Sequence, residues 1–379
     1  MVTKIILPWL PSIPESPQRV ILDSLTASHC NRLKVTQTVP ERTEIFVKIL
    51  VTGGAGYIGG TVAGLLAEKN HIPVIFDNLS HGRRDLVSPS IPFVRGELAD
   101  RAALETLFLA AREAGEPFDA VLHFAALIEA GESMRHPEIF FRNNTACTLS
   151  LLEAMLATGP RRLVFSSTAA VYGEPESVPI LENARLLPTN PYGESKLLVE
   201  QMLSWLSCIH GLRYASLRYF NVAGAPESAG GIVRGEAHNP ETHLIPLILD
   251  VALGRRKSIR IYGEDYPTPD GTCIRDYIHV SDLADAHLLA LNALESCDRL
   301  ICNLGNGQGF SVREVIESAR RVTGHPIPAE VHPRRPGDPA VLVAGSQKAV
   351  RELGWKPRYT QLDDILRTSW VWHRKRYAA

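Results

Sequence analysis

Tyr192 and Lys196 stand four residues apart in Asn190-Pro191-Tyr192-Gly193-Glu194-Ser195-Lys196, so a helix here puts a phenol and an ammonium on one face. Asn190 suits the N-cap and Pro191 the first helical position. Leu198, Val199, Met202, Leu203 and Leu206 then recur at helical spacing. A free phenol titrates near pH 10. A fixed cation and the positive end of a helix both favour its phenolate, which makes Tyr192 a candidate proton acceptor. Taken alone, the pair reads more readily as a surface tyrosine beside a solvated lysine, so the surrounding elements have to decide.

Those elements begin with Ile49-Leu50-Val51-Thr52, an apolar run of the kind that forms a buried parallel strand. It leads into Gly53-Gly54-Ala55-Gly56-Tyr57-Ile58-Gly59, and Val62, Leu65 and Leu66 continue as a helix. Gly53, Gly56 and Gly59 form a variant of the dinucleotide fingerprint, with phosphate oxygens expected on the free amides of a helix starting near Tyr57. A second strand ends at Asp77, whose carboxylate can accept from adenosine ribose hydroxyls and would repel a 2′-phosphate. NAD is therefore expected over NADP, with Arg83 and Arg84 read as solvated loop charges. Further strands are predicted over 91–95, 120–124, 162–166 and 214–219, with helices over 101–114 and 137–157 between them. This alternation predicts an α/β protein with a Rossmann-type doubly wound parallel sheet. His123-Phe124-Ala125-Ala126 and Ser166-Ser167-Thr168 end two of its strands, where ligand crevices open. The small residues of the first let a cofactor approach, and the Thr168 hydroxyl can bond a substrate oxygen.

The chain has 379 residues, enough for two domains, with ordinary hydrophobic (45%) and charged (21%) fractions. A net charge of −1 argues against a nucleic-acid or membrane-electrostatic surface, and no apolar run reaches the roughly 18 residues of a membrane span. Six cysteines without C-x-x-C pairing suggest reduced thiols in a cytoplasmic protein. No metal site is expected: His279 and His287, near Asp282 and Asp285, fit a capped helix start better than a ligand set. Residues 1–46 read as a poorly ordered extension or as sequence preceding a true start at Val47. Residues 47–222 then form the cofactor domain and 223–379 a smaller mixed α/β substrate domain.

The segments Thr52–Gly59, His123–Ala126, Ser166–Thr168 and Tyr192–Lys196, in this order, resemble the extended short-chain dehydrogenase/reductase superfamily. Leu217–Gly224, Asp265–Val280 and Arg334–Asp338 are similar to segments of the UDP-glucose 4-epimerases, and the resemblance runs from Val47 to about Trp372. It implies that Tyr192 is the acid/base, that Lys196 orients the nicotinamide ribose, and that Thr168 bonds the reacting 4-hydroxyl of a UDP-hexose. It further implies a cofactor site of Gly53, Gly56, Tyr57, Ile58, Gly59, Asp77, Asn78, Glu97, Leu98, Phe124, Ala125, Ala126, Asn143 (or Asn144) and Phe220. Asn221, Arg275, Arg335 and Asp338 are implied to hold the UDP moiety, arginine being suited to diphosphate by its planar fork. The implied activity is interconversion of UDP-galactose and UDP-glucose, and the implied assembly is a homodimer through the helices around 137–157 and 196–208.

Three positions depart from that pattern: Ile128 replaces a lysine, Glu97 replaces an aspartate, and Leu342 occupies the position that sizes the sugar pocket. Epimerisation of UDP-GlcNAc, UDP-glucuronate or a UDP-pentose thus stays open. A 4,6-dehydratase is disfavoured because Ala169 and Ala170, which carry no proton donor, follow Thr168. An idle scaffold is disfavoured by the intact Thr168, Tyr192 and Lys196 set.

Overall fold

A computed structural model describes residues 47–227, 234–335 and 338–377. The expected extension over residues 1–46 lies outside the described residues.

The parallel strands expected from the apolar runs form one seven-stranded sheet. They are β1 (Lys48–Thr52), β2 (Ile72–Asp77), β3 (Phe93–Arg95), β4 (Ala120–His123), β5 (Arg162–Thr168) and β6 (Arg213–Tyr219). The small strand β7 (Asn221–Ala223) leaves this sheet, as do β8 (Ile259–Tyr262) and β9 (Ile274–His279). The chain then returns with β10 (Arg299–Leu304) to pair in parallel with β6. The order β10-β6-β5-β4-β1-β2-β3 reverses direction between β1 and β4, so a crevice is expected at their carboxyl ends.

Alternation along β1 explains why both faces are covered. Ile49 and Val51 pack toward Val62, Leu66, Leu283 and Ala290, whereas Leu50 packs with Phe76, Leu104, Phe108 and Leu151 on the other side. The helix Tyr57–Glu68 covers the first face beside Val280–Ala293, so the chain beyond residue 223 supplies both a strand and a helix to this sheet. The remaining chain packs separately, with β9 joined by β7, β11 (Gly309–Ser311) and β13 (Val341–Leu342), and β8 joined by β12 (Ala329–His332). Ile245, Ile248, Ile259, Val315, Ile365 and Trp370 lie in the core of this second unit of packing. The observed architecture matches the expected α/β fold. No described helix is long and apolar enough to cross a membrane.

Candidate active site

A cavity of about 440 Å³ opens at the β1/β4 reversal, within the usual range for small-ligand pockets. Its floor is the glycine turn. Gly53 has φ +71°, and a Cβ there would lie 2.5 Å from the Ala125 amide nitrogen, so only glycine lets the β1 and β4 ends approach this closely. Gly56 is the N-cap of the Tyr57–Glu68 helix and supplies no side-chain cap, and no acid occupies the first turn. This leaves a positive helix end facing the cavity. The Asp77 carboxylate is fixed by the Ala55 amide at 3.0 Å and the Leu79 amide at 2.8 Å. Asn78 donates to Glu97 at 3.0 Å, joining two expected cofactor residues at the rim. Phosphate on the helix end and ribose near Asp77 fit this cradle, so the residues present suit a dinucleotide.

Most expected site residues meet here. Gly53, Gly56, Tyr57, Ile58, Gly59, Asp77, Asn78, Glu97, Leu98, Phe124, Ala125, Ala126, Asn143, Thr168, Tyr192, Phe220, Asn221 and Leu342 all line this cavity, as does Ile128. Asn143 and Asn144 are now distinguished. They lie in a π-helical turn, Phe141–Ala146, a feature common at functional sites. Asn144 turns inward, accepting from the Leu127 amide at 2.8 Å and donating to Leu127 O and Ser195 Oγ. It clamps the β4 loop to the Tyr192 helix and leaves Asn143 at the cavity.

The helix Pro191–His210 begins as its sequence requires: Asn190 Oδ1 accepts from the Gly193 amide at 2.9 Å, Pro191 opens the first turn, and Gly211 closes the last in the left-handed region. Tyr192 keeps some surface on the cavity wall. Even so, burial pushes its pKa up to about 12, against the pull of a hydrogen bond with Thr168 and with Glu129 pushing the same way as burial. Lys196 lies deeper and is 3% exposed. Its Nζ donates to Ser166 O at 2.8 Å and sits 4.8 Å from the centre of the Phe165 ring. Burial pulls its pKa down to about 7, partly countered by Glu200. The expected lowering of the phenol by a fixed cation therefore does not appear. Desolvation acts on both groups and opposes both charges.

Beneath them Glu200 takes the Arg218 guanidinium at 2.5 and 3.0 Å and the Ser167 hydroxyl at 2.6 Å. This buried network ties the Tyr192 helix to β5 next to Thr168 and to β6. His123 bridges Thr52 at 2.7 Å and Thr148 at 2.8 Å, and burial holds its pKa down at about 3.

Arg275, Arg335 and Asp338 lie apart from the cavity wall. Arg275 pairs with Asp338 and donates to Pro339 O at 2.7 Å, whereas Arg335 stacks on Tyr262 at 4.1 Å. Leu342, paired in register with Arg275 on β9, does reach the cavity.

Sequence reasoning passed over one group on the cavity wall. Glu236, His238, Glu241 and His243 converge just before the helix Leu244–Ala252. Their E-x-H-x-x-E-x-H spacing was the available signal. Burial opposes charge on His238, but its carboxylate partners hold its pKa up at about 9.

The parallel sheet, glycine cradle and helical tyrosine–lysine pair define an NAD-dependent enzyme of the Rossmann class. Residues 49–305 match the NAD dependent epimerase/dehydratase family, and the chain belongs to that family. It is 53% identical to the UDP-glucose 4-epimerase of Streptomyces lividans over 86% of this chain and 96% of that one. Among solved structures, the UDP-glucose 4-epimerase of Brucella ovis in complex with NAD is 44% identical with a TM-score of 0.81, covering 86% of this chain and 98% of that one. The UDP-Glc/GlcNAc 4-epimerase of Campylobacter jejuni is 40% identical with a TM-score of 0.73, over 87% and 99%.

Proposed function

We propose that this enzyme interconverts UDP-galactose and UDP-glucose by inverting C4 of the hexose, with Tyr192 as the group that removes and restores the O4 proton. The observation that carries this reading is the meeting of Thr168 and Tyr192 on one wall of the cavity whose floor is the glycine turn. The Tyr57 helix end and Asp77 would hold NAD, which would supply the hydride acceptor and donor for C4.

The chain's own residues do the rest. Thr168 Oγ1 and the Tyr192 phenol take the 4-hydroxyl between them, and Thr168 steadies the oxygen as its proton leaves. Since burial works against the phenolate, proton removal needs the Thr168 hydrogen bond and the ammonium form of Lys196 nearby. Lys196, fixed by Ser166 O, also orients the nicotinamide ribose. Asn221, with Arg275 and Arg335 redirected from Asp338 and Tyr262, holds the diphosphate while the oxidised sugar turns over and presents its other face. Return of the hydrogen and of the Tyr192 proton completes the inversion without net redox change.

We further assign residues 47–222 to the cofactor and 223–379 to the sugar nucleotide, with 280–304 shared because they complete the main sheet. The expected homodimer is supported by Ile139, Leu149, Trp205 and Ile209, which leave large apolar surface exposed on the two expected helices; Trp205 and Ile209 are 62% and 65% exposed. A cytoplasmic location accords with the five described cysteines, all free thiols.

The test is incubation with UDP-galactose, UDP-N-acetylgalactosamine, UDP-galacturonate and UDP-arabinose, with products identified by NMR. UDP-galactose should give UDP-glucose at the highest rate. No conversion of UDP-galactose at any enzyme level would overturn the proposal, whereas faster conversion of another sugar would reassign the substrate to that member of the class.

A further inference from the structure

Glu236, His238, Glu241 and His243 fall within eight consecutive residues, and one donor atom from each lies within 4.8 Å of the others. His243 Nδ1 is 2.8 Å from Glu236 Oε1 and 3.0 Å from Glu241 Oε1. His238 Nδ1 is 3.3 Å from Glu236 Oε1 and 3.7 Å from Glu241 Oε2. Zinc–nitrogen and zinc–oxygen bonds of about 2.0–2.2 Å place tetrahedral donor pairs roughly 3.3–3.5 Å apart. The four histidine–carboxylate separations, 2.8 to 3.7 Å, bracket that spacing.

Two further observations favour an ion over a simple set of ion pairs. Nδ1 of His238 is buried and meets no partner in hydrogen-bonding geometry, despite its two carboxylate neighbours. A buried nitrogen that faces two carboxylates at 3.3 and 3.7 Å without hydrogen-bonding geometry to either is suited to sharing an ion with them. The support around the cluster is also built. The amides of Thr242 and His243 both donate to Glu241 Oε1 at 2.9 Å, which orients that carboxylate. Trp372 Nε1 donates to Glu236 O at 2.9 Å, and a Cβ on Gly235 would lie 2.3 Å from Trp372 Cδ1. The backbone is pinned while the four side chains turn toward one another.

We propose that Glu236, His238, Glu241 and His243 form a four-ligand site for a divalent cation of the zinc class. Two imidazoles and two carboxylates suit zinc or cobalt better than calcium or magnesium, which prefer all-oxygen sets. Four protein ligands leave no open position, so the ion is structural. It fixes the stretch of cavity wall leading into Leu244–Ala252, and it takes no part in proton removal at Tyr192.

The experiment uses the full chain. Protein grown with zinc is expected to hold about one zinc per chain by elemental analysis, retained through dialysis without chelator. Chelation should lower the thermal midpoint by roughly 3 °C or more, with zinc restoring it. Cobalt added to the chelated wild type should give the visible bands of a tetrahedral site, a readout that needs no variant. His238→Gln and Glu241→Gln, checked for folding by circular dichroism, should each bind zinc about 10-fold or more weakly in calorimetry. Below about 0.1 zinc per chain, with a silent titration and no cobalt bands, the cluster is an ion-pair network and the proposal fails. Wild-type zinc affinity in both folded variants would equally overturn it, by moving the metal elsewhere.

Discussion

The two sides of the cavity treat charge in opposite ways. On the side built by β5 and the helix Pro191–His210, burial disfavours the charged forms: Tyr192 is raised to about 12 and Lys196 lowered to about 7, while His123 beneath them is held at about 3. On the other side the charges are kept and paired. His238 on that wall is held up at about 9 by Glu236 and Glu241, and off the wall Arg275 is bound to Asp338. Counter-charge accounts for the difference: two carboxylates outweigh the burial of His238, whereas Glu200 only partly counters that of Lys196. A buried phenol that must be helped to ionise is suited to moving a proton. A cation paired with a carboxylate, as Arg275 is with Asp338, is suited to exchanging that partner for an anionic ligand.

The sharpest way to break this contrast is Tyr192→Phe. Turnover of UDP-galactose should fall by about 10³-fold or more, while bound cofactor and thermal midpoint stay near wild type. A loss of only a few-fold would mean that another group moves the proton. Arg218→Ala tests the foundation of the same side. It strands the Glu200 carboxylate, itself 5% exposed, and should cost about 3–5 kcal/mol in chemical denaturation. An unchanged denaturation midpoint would show that water or another cation serves Glu200.

Arg275→Met tests the paired side. Loss of a charge-assisted contact of about 1.5–3 kcal/mol should raise KM for UDP-galactose about 10- to 100-fold with kcat within a few-fold. A selective fall in kcat would put Arg275 in the chemistry instead.

Per pH unit, the smallest expected effect is the share of one histidine in a pH slope. His123 and His279 have pKa values lowered to about 3, and His287 to about 4, each chiefly by burial. Below the ordinary value near 6.5 the unfolded chain takes up protons that the native state refuses. Stability must therefore fall as pH drops from 6.5 toward 4, by up to about 1.4 kcal/mol per pH unit for each histidine. His123→Gln should flatten that slope in thermal denaturation; an unaltered slope would assign it to other groups.

Much of this was legible because it is local. The Asn190 cap, the Pro191 start and the glycine turn depend on neighbours within a few residues, and each forms as its residue types require. The cavity's cofactor residues follow from that turn and from strand ends, so most of them were legible too. What sequence could not supply is depth and long-range pairing. Nothing in Arg299–Leu304 announces that it will pair with β6 rather than with β9. The motif reads the same whether Tyr192 and Lys196 are solvated or buried, yet it is the burial of Tyr192 itself that sets the direction of its pKa. Arg275 and Asp338 are 63 positions apart, and their pairing is set by β9 and β13 meeting in register.

The central claim is that one enclosed site removes and returns the same C4 hydrogen while Tyr192 handles only the O4 proton. UDP-galactose deuterated at C4 tests it directly, by NMR of the product in ordinary water. We expect UDP-glucose that keeps its deuterium at C4. Washout of that deuterium into solvent would contradict the account, since the C4 hydrogen would then have left as an exchangeable proton.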